Sequence, residues 1–82
     1  MRKGRNQLFQ KRKTRQELYE EQLREDIKKT KLAMDTAYSN FENALEPELI
    51  DCCIYELNAV QRRYVFLLKQ MQNFKNATAD LR

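Results

Sequence analysis

The side chains able to do chemistry in this 82-residue chain gather in its second half. Between Glu46 and Arg63 stand two adjacent thiols, Cys52 and Cys53, the carboxylates Glu48 and Asp51, and the guanidinium pair Arg62 and Arg63. A thiol acts as a nucleophile when a base or an electropositive pocket lowers its pKa, and the chain has no histidine to serve as that base. Neighbouring positions on a helix point about 100° apart, so the two sulfurs cannot bond to each other without distorting it. Two thiols without histidine, and without C-x-x-C spacing, fall short of a four-ligand zinc site unless a second chain contributes. Glu48 with Asp51, or Glu25 with Asp26, offers paired carboxylates for acid-base work. A helix start and a solvated helix face account for them more simply. Cys53 reads as a small buried hydrophobe and Cys52 as an exposed thiol. The expectation is a non-enzymatic protein with no catalytic residue, metal site, cofactor or small-molecule substrate.

Chain length supports that reading. A domain of this size buries only about 60% of the surface that its unfolded chain exposes, which leaves little room for a deep cavity. One glycine, one proline and no tryptophan remove the turn chemistry that hairpins and sandwiches require, so the natural fold class is all-α. No apolar run approaches the roughly 18 residues of a membrane span, and the basic N-terminus lacks the apolar stretch of a signal peptide. Unpaired thiols fit a reducing compartment, and the expected location is the cytoplasm.

The net charge of +4 is unevenly placed. Residues 1–15 carry Arg2, Lys3, Arg5, Lys11, Arg12, Lys13 and Arg15 and no acid, whereas the remainder carries nine positive and twelve negative side chains. A basic tail, residues 1–13, thus precedes a mildly acidic body. Such a tail neutralises phosphates on nucleic acid without reading sequence, rests on anionic lipid with Leu8 and Phe9 dipping into the interface, or serves solubility alone.

Two helices must position everything else. The first, about 14–44, sets Leu18, Leu23, Ile27, Met34, Ala37, Phe41 and Ala44 near one stripe, with Thr30 in the remaining core slot. Glu20 with Arg24 and Glu25 with Lys29 are acid-before-base pairs at i,i+4 that mark its wet face. Pro47 then divides the chain, because a proline inside a helix removes an N–H and clashes with the carbonyl four residues back, while at the first helical position it is harmless. Glu46, Glu48 and Asp51 would crowd that new helix start, where the macrodipole favours negative charge.

The second helix, about 47–78, repeats Ile50, Cys53, Leu57, Val60, Tyr64, Leu67, Met71 and Phe74 in unbroken steps of three and four. A seam at that spacing suits a helix lying at a shallow angle against another. Thr78 and Leu81 extend it weakly. Phe41 with Ile50, Met34 with Leu57, and Ile27 with Tyr64 are symmetric about the point between Leu45 and Glu46. The fold predicted is an antiparallel two-helix hairpin, coiled-coil-like. Further apolar residues flank the seams (Ile54, Val65 and Leu68; Leu32, Ala33, Tyr38 and Leu45), a wider face than one partner helix covers, so a homodimer forming a four-helix bundle is expected.

Opposite the second seam, Tyr55, Ala59, Arg62 and Phe66 recur at helical spacing. Aromatic and arginine side chains are favoured interface anchors, which makes Tyr55, Arg62 and Phe66 the candidate face for a protein partner. The competing readings are burial in the homodimer contact, or ordinary scattered exposure.

The segment "PELIDCCIYELNAVQRRYVFLL" resembles the signature region of the YaaL-like family, small uncharacterised proteins of Gram-positive bacteria. The matching positions are Pro47, Leu49, Ile50, Asp51, Ile54, Tyr55, Leu57, Asn58, Ala59, Arg63, Tyr64, Leu67 and Leu68. Glu46 stands where that pattern usually has aspartate, which keeps the favourable charge but changes the cap. The resemblance implies a cytosolic bacterial protein with no catalytic residues to transfer. Its genes often lie near a recombination-mediator gene, which points mildly towards nucleic acid.

Overall fold

The computed structural model describes residues 12–80, which form two helices, α1 (Arg15–Asn43) and α2 (Pro47–Asp80), packed on each other as a hairpin. Arg2, Lys3, Arg5, Lys11 and Leu81 lie outside the described residues.

Helix α1 starts where it does because of a reciprocal cap. Thr14 is extended (φ −71°, ψ 166°), and its Oγ1 accepts a hydrogen bond from Glu17 N at 3.1 Å, while Glu17 Oε1 accepts from Thr14 N at 2.8 Å. Two N–H groups that lack helical partners are thereby satisfied. Glu20 pairs with Arg24 through Nε (3.1 Å) and Nη2 (2.5 Å), as the i,i+4 spacing predicts. Glu25 and Lys29 do not come within ion-pair distance; the other ion pair among the described residues joins Lys13 to Glu21.

The turn is short. Ala44 leaves the helix in an extended conformation (φ −76°, ψ 133°), donating its N–H to Phe41 O at 3.4 Å, and the Glu46 carbonyl accepts from Ile50 N at 2.9 Å. That last bond makes Pro47 the first helical residue of α2, the position at which its missing N–H breaks no helical bond. An extended exit needs no left-handed residue, and no described non-glycine residue has a positive φ.

Packing follows the seams. Leu23, Thr30 and Ala37 of α1 and Cys53 and Val60 of α2 are buried. The other six members of the α2 seam are half-buried, as are Ile27, Met34 and Ala44 opposite. Leu18 departs from the expected stripe and is 53% exposed. It precedes Leu23 by five residues, about 140° round the helix. The three-four rhythm instead assigns the next core slot to Glu20, which is half-buried. Phe41 lies at the rim, 36% exposed.

Side-chain direction adjusts the level of the pairs. Reflection about the turn places Phe74 opposite Glu17, yet its ring meets Tyr19, centroid to centroid at 5.1 Å with planes 50° apart. Each helical side chain covers a spot about one residue N-terminal to its own Cα. In antiparallel helices the two leans oppose, so contacting residues sit about two positions beyond the symmetric pair, as Tyr19 and Phe74 do.

Candidate functional site

The residues with chemical potential stand on different faces. Cys53 is buried in the seam, with 8% of its surface exposed, and Cys52 is an exposed free thiol on the next face. Their separation follows from the 100° step between neighbours on a helix. Glu48 and Asp51 occupy the first turns of α2, where the helix's unpaired N–H groups attract negative charge. Among the described residues no three His, Cys, Asp or Glu side chains converge as a metal-binding group.

The shallow clefts are of two kinds. Ala33, Thr36 and Asn40 face Glu56, Ala59 and Arg63 along one side of the helix pair, over a floor of Ala37 and Val60. Towards the open end of the hairpin, Arg24 and Lys28 face Met71 and Lys75 over Ile27, with Glu21 and Glu25 close enough to offset their charge. The third lies on α2 alone, lined by Asn58, Gln61, Arg62 and Val65.

That third depression marks the outer surface of α2, and this surface is chemically unlike the rest of the molecule. Helix α1 carries 12 charged side chains in 29 residues, whereas α2 carries eight in 34. Between Ile54 and Leu68 the charges on α2 are Glu56, Arg62 and Arg63, and Glu56 and Arg63 turn towards α1 as walls of the inter-helix cleft. Arg62 is left as the single charge on a surface where Tyr55 is 77% exposed, Phe66 56%, Val65 49% and Ile54 40%. Aromatic rings this open to water lose the benefit of burial, a loss recovered when a partner covers them.

Tyr55, Arg62 and Phe66 therefore share one stripe with Ala59, as their four-three-four spacing predicts; Ile54 and Val65 lie to one side of it, and Leu68 sits beside the seam, about 40° round the helix from Tyr64. The scarcity of charge on the outer surface of α2 between Ile54 and Leu68 is the feature that periodicity alone did not isolate. It becomes visible once Glu56 and Arg63 are seen to face α1.

For the basic tail, the described part is its junction with α1. Arg12, Lys13 and Arg15 are exposed there, and the Lys13 ammonium is held by Glu21. Among the described residues no helix is long and apolar enough to cross a membrane.

No curated protein and no solved structure matches the chain. A family does: residues 8–76 match the one described as Protein of unknown function (DUF2508), and the span takes in the turn, the seams of both helices and the outer face of α2. The chain belongs to this uncharacterised family.

Proposed function

We propose that the chain is a non-enzymatic helical interaction module that binds protein through Tyr55, Arg62 and Phe66 on the outer face of α2. The observation that supports the reading is that Tyr55 and Phe66 are more than half exposed on one stripe whose single charge between Ile54 and Leu68 is Arg62, on the helix that carries fewer charged residues. Its anchors are of the types that dominate binding energy in protein interfaces. The signature residues from Pro47 to Leu68 further support a YaaL-like protein of a Gram-positive bacterium, and the unpaired thiols a cytoplasmic location. The face has the character of a self-association surface as well as of a surface for a different protein.

Affinity capture on the immobilised chain, from the cells that make it, tests the reading against Tyr55→Ala/Phe66→Ala. A specific protein retained by the wild type and released by the double substitution, with helical circular dichroism unchanged, is the expected result. Retention that ignores the substitution ends the reading.

A second reading, sequence-independent nucleic-acid binding through Arg2, Lys3, Arg5, Lys11, Arg12, Lys13 and Arg15, draws on the exposure of Arg12 and Arg15 beside the N-terminus of α1. The Lys13–Glu21 ion pair weighs against it. Duplex DNA titrated at low and moderate salt, with the wild type and with Arg2, Lys3, Arg5 and Lys11 changed to Gln, tests this alternative. Binding that falls steeply with salt and disappears in the variant supports it, and no binding at low salt removes it.

A further inference from the structure

We infer that the occupant of the α2 outer face is a second copy of this chain, packed antiparallel with Ala59 at the two-fold axis. The inference rests on the reading that this face binds protein, and names the partner.

The argument comes from the order of residues along the stripe. Glu48, Cys52, Tyr55, Ala59, Arg62, Phe66 and Lys69 follow one another at steps of four and three, so they share one face of α2. Counting outwards from Ala59, Tyr55 lies four residues one way and Arg62 three the other, Cys52 and Phe66 lie seven each way, and Glu48 and Lys69 lie eleven and ten. Turning a second copy end for end lays the stripe on itself. Each Arg62 then meets the partner's Tyr55, a guanidinium over an aromatic face. Each Phe66 meets the partner's Cys52, a ring against a soft sulfur. Each Lys69 meets the partner's Glu48. A parallel copy would set Arg62 on Arg62 and Lys69 on Lys69, so the charges select the antiparallel arrangement.

At the centre, Ala59 is exposed and carries only a methyl group. Two helices crossing there approach to the short end of the 8–10 Å range. The stripe from Glu48 to Lys69 runs about 32 Å, and the flanking Val65 and Ile54 extend it sideways. The contact also provides the layer that the hairpin lacks. One helix on one helix leaves five buried residues among those described, none with less than 2% of its surface exposed, and placing α2 on α2 gives each α2 a second covered face on the side opposite α1.

The test combines mass with position-specific cross-linking on the full chain. Sedimentation at micromolar concentration is expected to give twice the 10.0 kDa chain mass. In a Cys52→Ser/Cys53→Ala background, adding Ala59→Cys is expected to yield a covalent dimer under mild oxidant, and adding Gln61→Cys is not. The native Cys52 pair is likewise expected to stay unlinked, because fourteen residues along antiparallel axes separate the two sulfurs by about 21 Å, beyond disulfide reach. Arg62→Glu should raise the dimer dissociation constant at least tenfold. Lys69→Glu should weaken the dimer, and adding Glu48→Lys to the same chain should restore it, an outcome that misfolding cannot mimic.

A dimer that cross-links through Gln61→Cys and not Ala59→Cys overturns the arrangement. A monomer that still captures a different protein through Tyr55 and Phe66 overturns this inference and leaves the proposed function standing. A monomer that captures nothing through them overturns both.

Discussion

Leu18 and Leu23 differ in what they bury, and the difference has a measurable consequence. Leu23 is 5% exposed and Leu18 53%. Leu23→Ala should destabilise the chain by about 2–5 kcal/mol, since it removes buried contacts and leaves a space that the neighbours only partly fill. Leu18→Ala should stay within about 0.5 kcal/mol. Urea unfolding of the two variants checks both, and equal losses would show that Leu18 lies in the core. Thr14→Ala removes the hydroxyl that accepts from Glu17 N and is expected to cost about 1 kcal/mol by the same measurement. The Thr-x-x-Glu box is a legible helix-start signal, whereas the exclusion of Leu18 becomes clear only when the rhythm is carried back from Leu23 through Glu20.

The two helices divide the work. Each seam is long enough to specify its mate, and Pro47 sits where the chain must reverse. Pro47→Ala should leave the hairpin folded but less stable by about 0.4–1 kcal/mol, because the unfolded chain regains freedom at that position. Calorimetry or urea unfolding reads the loss, and a gain in stability would mean that the proline strains the turn. The back of α1 is densely charged, whereas the back of α2 between Ile54 and Leu68 carries Arg62 alone, a contrast that composition spreads over the whole chain and only the helix faces resolve. The α2 seam was readable because eight positions share one rhythm. The candidate face was readable as Tyr55, Arg62 and Phe66, but its width depends on Glu56 and Arg63 pointing at α1, which a single-helix pattern does not contain.

For the whole molecule, the thinness of the core matters most. A hairpin with five buried residues among those described gains a second layer by association, and an assembly formed from folded chains makes thermal stability depend on concentration. The melting temperature of the wild type should therefore rise with protein concentration, while that of Arg62→Glu should lie lower at each concentration at which the wild type is dimeric. Scanning calorimetry over a hundredfold concentration range reads this, and a wild-type midpoint that stays constant contradicts the self-association proposed here.

By itself the sequence determined that the chain is helical, that it reverses at Pro47, which residues form the α2 seam and, Leu18 and the rim residue Phe41 apart, which form the α1 seam. Those outcomes follow from local geometry, namely the 3.6-residue turn, a proline without an N–H, and acids at a helix start. The tertiary structure decided which residues at the edges of each stripe are covered, which level of one arm meets which level of the other, and which charges on α2 face inward. These depend on two helices at once, on the lean of side chains towards each N-terminus and on the narrow angle that a single partner helix can shield.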